Sequence, residues 1–169
     1  SSLGSLASWA DQPAIISLLQ GTTEKQEVAE LQRALATAAM KTDDAEKRSE
    51  KILAALDKPG DKLRLIPLLA QTGGNEAVRR VAKEFENGDA ITRDVCFDAL
   101  AHWSDHSALK VLYDICASGN KTFGMPAFDA YLRMVSVANL TPERKLLLIK
   151  EIAPQAVAPD AKADMLALA

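Results

Sequence analysis

With 48% hydrophobic and 25% charged residues, this 169-residue chain has the balance of an ordinary folded protein, and aromatics at only 5% leave its core to Leu and Ala. A formal net charge of −3 speaks against a nucleic-acid partner, which would need a continuous basic stripe, and leaves room only for a local basic patch. No apolar run approaches the roughly 20 residues of a membrane span, and Ser1-Ser2-Leu3-Gly4 begins no secretory signal.

Ser2 to Ala10 reads as the back half of a helix. Gln12 or Pro13 opens the next, running to about Gln20, with Asp11 at or near the cap. Gly21-Thr22-Thr23 breaks it. Thr23 with Gln26 has the form of a capping box ahead of Val28, Leu31, Leu35 and Ala38, whose spacing predicts a helix ending near Thr42. Asp43 or Asp44 caps a helix whose charged first half, Asp44 to Lys51, is expected to be a solvated face and whose apolar Ile52, Leu53 and Leu56 come late.

Asp57-Lys58-Pro59-Gly60 is a turn, and Leu63 to Leu69 follow as a helix that Pro67 should bend or interrupt. Asn75 caps the next helix, with Val78, Val81, Ala82 and Phe85 inward, Arg79, Arg80, Lys83, Glu84 and Glu86 outward, and Asn87-Gly88 at its end. Asp89 or Thr92 starts a helix carrying Cys96, Leu100 and Trp103. The Ser104-Asp105 cap leads into Leu109, Leu112 and Cys116, stopped by Gly119-Asn120. Pro126 initiates a helix with Phe128, Tyr131 and Leu132, Thr141-Pro142 opens another that Pro154 closes, and Pro159-Asp160 open the last. No segment alternates in the manner of a strand, so the chain reads as all-α, with about ten or eleven short helices.

One stretch is written more than once. Leu100-Ala101-His102-Trp103-Ser104-Asp105 matches Leu6-Ala7-Ser8-Trp9-Ala10-Asp11, and Leu69-Ala70-Gln71-Thr72-Gly73-Gly74 keeps the Leu-Ala opening while replacing Trp-x-Asp. Leu35-Ala36, Tyr131-Leu132 and Leu166-Ala167 continue the beat at a period of roughly thirty residues, the mark of stacked helical repeats. The fold class expected is a right-handed α-solenoid of two-helix units, one segment over residues 1–169, cut mid-repeat at both ends. Each repeat position has a mechanical reading. Trp9 and Trp103 seal the corner between the paired helices, and are not platforms for sugars. Asp11 and Asp105 satisfy the free amides of the second helix, and Gly73-Gly74 builds the same corner with a positive-φ turn.

The Leu-Ala-x-Trp-x-Asp pattern resembles HEAT-type helical repeats, although the period is shorter than usual for them; tetratricopeptide repeats, whose Trp-x-x-Leu-Gly core is missing, rank second. Tyr131-Leu132-Arg133-Met134-Val135, followed by Leu140-Thr141-Pro142-Glu143-Arg144-Lys145-Leu146, is similar to the HEAT-repeat region of bacterial secreted proteins that also carry a 3-keto-disaccharide hydrolase domain. That resemblance implies a periplasmic or extracellular setting and a sugar-processing neighbour. It carries over no catalytic residue.

Candidate chemistry is sparse. His102 and His106 stand at the spacing of a helical metal clip but straddle a predicted helix break, so no metal site is assigned. No nucleophile elbow, phosphate loop or Cys-x-x-Cys occurs, which gives no catalytic residue and no cofactor. Cys96 and Cys116 read as small buried hydrophobes on the paired helices of one unit, with a bridge between those helices as the alternative. Arg79, Arg80, Lys83 and Lys110 remain as candidates for a binding face, although nearby acids make a solvated face the stronger reading of the Arg79 cluster. The function expected is a non-catalytic scaffold that binds a protein or peptide, or positions an adjacent domain of the same parent chain. The alternative is a segment of a sugar-processing hydrolase that contributes to its substrate site.

Overall fold

The structure, a computed structural model, describes residues 9–58 and 62–156. Among these it forms nine α-helices and no strand. They are α1 (Gln12–Gly21), α2 (Lys25–Ala39), α3 (Ala45–Leu56), α4 (Ile66–Thr72), α5 (Asn75–Asn87), α6 (Ala90–Ala101), α7 (Leu109–Ala117), α8 (Gly124–Val137) and α9 (Pro142–Ile152), with 3₁₀ turns at Trp9–Asp11, Lys62–Arg64, His106–Ala108 and Ala153–Gln155. The Leu6-Ala7 copy, the side chain of Trp9, Pro59-Gly60, the helix expected from Pro159 and the Leu166-Ala167 landmark lie outside the described residues.

Local chemistry sets most boundaries. Asp44 accepts from the amides of Glu46 and Lys47 at 3.0 and 3.3 Å and starts α3. Asp89 accepts from Thr92 N at 2.8 Å ahead of α6, and Thr141 accepts from Arg144 N with Pro142 in the first turn of α9. Pro67 falls in the first turn of α4, because the stretch from Lys62 splits into a 3₁₀ turn and an α-helix that begins at Ile66. There its missing amide costs nothing.

Three expected caps differ. α2 starts at Lys25 without a Thr23 capping box, since the chain leaves α1 extended at Thr22, whose hydroxyl donates to Glu27. Asp11 holds the N-cap of α1 in a helical conformation without a side-chain capping bond, because the helix runs on from a 3₁₀ turn; Asp105 does accept from Ser107 N, at 2.8 Å. Asn75 is the first residue of α5 and does not cap it. The N-cap is Gly74, which has no side chain to offer.

The amides that Gly74 cannot satisfy are met from another helix. Glu46 of α3 accepts from Asn75 N at 2.7 Å and from Glu76 N at 3.2 Å, placing a carboxylate on the positive end of α5. Gly74 permits this approach through φ +98°, and a Cβ there would lie 3.1 Å from Glu46 Oε2 and 3.2 Å from the Ala45 carbonyl. The stretch expected to be solvated is partly turned inward: Ser49 is buried and Arg48 is half-buried.

Helix C-termini are closed in the same way by cations. Arg64 donates to the carbonyls of Leu19, at 2.9 Å, and Thr22 at the end of α1, and Arg80 donates to Leu56 at the end of α3. Arg93 reaches Glu86 near the end of α5, Arg133 reaches Ala101 at the end of α6, and Lys145 reaches Ser136 at the end of α8, at 3.2, 3.2 and 2.7 Å.

The chain divides into two compact units, residues 1–99 and 100–169. In the first, α1 packs on α2 and α3, α2 on α4, α3 on α4 and α5, and α4 on α5. In the second, α8 packs on both α7 and α9. The recurring landmark supplies core: Leu35, Leu69 and Leu100 are fully buried, and Tyr131 and Leu132 nearly so. Trp103 is buried at 6% exposure, and its indole N–H has no hydrogen-bond partner among the described residues, an unpaired donor that costs stability against the apolar area its ring buries.

Replacing Glu46 with Ala should lower stability by about 1–2 kcal/mol, the usual worth of a helix cap, with Glu46→Gln intermediate. Gly74→Ala should cost about 1–3 kcal/mol through its positive φ. Urea denaturation of the variants checks both values.

Candidate functional site

Of the cations singled out from sequence, Arg79, Arg80 and Lys83 share one face of α5. They border a shallow cleft against α3, on whose other side Leu53 and Ala54 supply an apolar floor. A second cleft lies across α3 against α1, lined by Pro13, Ile16, Lys51, Ala54 and Lys58 among others. Ala54 belongs to both, because a methyl group on the exposed ridge of α3 leaves a dip on either side. Lys110 belongs to the other unit, on α7, where Asp114 one turn on accepts from it at 2.5 and 2.7 Å.

The three cations of α5 are not equivalent. Arg80 is only 24% exposed and is committed to structure. Nη1 donates to Asp57 at 2.5 Å, Nε to Glu84 at 3.0 Å and Nη2 to the Leu56 carbonyl at 3.3 Å. Helical spacing points it outward together with Glu84, but both are drawn in because the end of α3 offers the Leu56 carbonyl within reach. Lys62 adds a second cation to Glu84 at 3.3 Å. Arg79 pairs with Glu76 on its own helix, both about two-thirds exposed, an arrangement of small energetic worth that another carboxylate can displace. Lys83 is exposed.

The electrostatics follow this network. Arg80, by hydrogen bond and by charge, holds the Asp57 carboxyl below its ordinary range. Burial would raise Glu84, but Arg80 and Lys62 outweigh it and leave it lowered, while Asp57 and Glu84 raise Arg80 against the cost of its own burial.

Elsewhere the candidate chemistry is quiet. His102 and His106 are both exposed, and among the described residues no three His, Cys, Asp or Glu side chains cluster as a metal site. Cys96 and Cys116 are free, buried thiols. Burial, with Glu84 nearby, pushes Cys96 up to about 12, and burial with Asp129 raises Cys116, so both are poor nucleophiles at neutral pH.

Sequence reading missed Lys51 and Lys58 as lining residues. Lys51 stands one turn before Ala54 on α3 but belongs to the stretch expected to be a solvated face, and Lys58 lies just past the end of α3 in the stretch read as a turn. No known protein family, curated protein or solved structure matches the chain.

Arg80→Met should destabilise the fold by about 1–3 kcal/mol, since it strands the Leu56 carbonyl and takes from half-buried Glu84 the closer of its two cations. The lowered carboxylates give the sign of the pH dependence. Their stabilising effect is complete above the ordinary carboxylate range and is lost as pH falls through their depressed values, below about pH 4. Stability of the unaltered chain should fall across that window, and the Arg80→Met chain should fall less steeply. Urea midpoints measured against pH provide the check.

Proposed function

We propose that this chain is a non-catalytic helical-repeat scaffold of the α-solenoid class, built from two-helix units, that presents the row α1–α3–α5 to a protein or peptide partner. The observation that carries this reading is the packing order of the first unit, where α1 sits on α3, α3 on α5 and α2 on α4. Next-but-one contacts of that kind are what stacked helical pairs make, each pair covering the apolar face its neighbour cannot bury alone. The buried Leu35, Leu69 and Leu100 support the same beat. Clefts flanking α3 give the row a surface with an apolar floor and charged rims, a general form for peptide recognition. Export, and a role beside a sugar-processing domain, belong to the proposal through the resemblance to HEAT-repeat regions alone.

Selection of displayed peptides against the folded chain, with hydrogen exchange to locate the bound face, tests the reading. The expected result is enriched peptides that slow exchange in α3 and α5. Cleavage of a 3-keto-disaccharide by the chain, or no enrichment above background, would overturn it.

A further inference from the structure

The charge of the two clefts differs in sign from that of the chain. The protein carries a net −3, yet along the clefts the cations Lys51, Lys58, Arg79, Arg80 and Lys83 outnumber the carboxylates Asp57 and Glu76. Arg80 and Asp57 are bound to each other, which removes one charge of each sign from the reckoning. Among the described lining residues Glu76 is the remaining acid, and it is held by an exposed contact to Arg79, while Lys58 and Lys83 are exposed. Between these charges lies Leu53 with the exposed methyl of Ala54.

We propose that the α3–α5 cleft, continued by the α1–α3 cleft, docks an acidic peptide segment of a partner protein. An aliphatic side chain of the peptide rests on Leu53 and Ala54, and its carboxylates pair with Arg79 and Lys83 on one side and Lys58 on the other. The inference rests on the scaffold reading above and adds the chemistry of the partner. Charge complementarity selects the occupant: carboxylates exchange Glu76 for a better-placed partner of Arg79, and they meet lysines whose field in an acidic chain is local. Nucleic acid suits the surface less well. Among the described residues neither cleft presents an aromatic ring for a base to stack on, and those that line them form no continuous basic track.

The test uses the full chain and three fluorescein-labelled probes of equal length: a peptide of Asp, Glu and Leu, the same peptide with Lys at the acidic positions, and single-stranded RNA. Anisotropy titrations should show the acidic peptide binding most tightly, with affinity falling as salt rises. Arg79→Glu combined with Lys83→Glu, both at exposed positions, should weaken it by on the order of tenfold or more. Lys121→Glu, at an exposed position in the other unit, should leave it unchanged, and circular dichroism confirms that each variant is folded. Equal or tighter binding of the Lys peptide or of RNA would overturn the acidic partner, as would charge reversal without effect. Binding of the Lys peptide with exchange protection in α3 and α5 would still leave the scaffold standing; failure of both peptides, together with no enrichment from the displayed peptides, would remove both readings.

Discussion

An α-helix leaves unpaired amides at one end and unpaired carbonyls at the other, and a chain of short helices has many such ends for each residue of core. In this protein several are closed by a side chain from another helix or from a turn. Glu46 takes the first amides of α5, Arg80 the last carbonyl of α3 and Arg64 the last carbonyls of α1. Arg64 is itself seated by α2, since Gln32 donates to its carbonyl at 2.9 Å. Such caps cannot form in an isolated helix, so they tie the ends of one helix to the position of the next. With a core of aliphatic side chains and few rings, whose packing is less directional, these polar contacts add to the local caps in fixing where those helices begin and stop.

The same constraint sorts the charged residues by role. Cations that face a helix end are used in structure, and Arg80 is the clearest case, holding Asp57, Glu84 and Leu56 at once. Cations one turn away face solvent. Arg79 and Lys83 flank Arg80 on α5 yet leave their charge on the surface. The proposed binding surface and a structural joint thus share a helix without sharing residues.

Much of the fold was legible because it depended on local signals. Asp44, Asp89 and Thr141 sit where a capping side chain must sit, Pro142 stands at a first turn, and the glycines at 73 and 74 take the positive φ that their pairing suggests. The unread parts are those in which one helix completes another. Glu46 belongs to a run of charges that looks solvated by composition, and nothing near it in sequence announces Asn75. Thr23 and Gln26 carry the right letters for a capping box, but Thr22 bonds to Glu27 and the helix starts later. Arg80 and Glu84 lie on the polar side of a helical wheel, and only the end of α3 beside them explains their burial. The candidate cleft was half visible for the same reason: the α5 cations stood out, whereas Lys51 and Lys58 became relevant once α3 was placed against α1 and α5.

The claim that helix ends are closed from outside is open to direct observation at α5. First-turn amides of a helix have no acceptor within it and normally exchange with solvent as though unprotected. Residue-resolved hydrogen exchange on the unaltered chain should find the Asn75 and Glu76 amides protected to the level of the α5 interior, opening together with α3. Exchange of these two amides at the free-peptide rate, while the rest of α5 stays protected, would contradict the account.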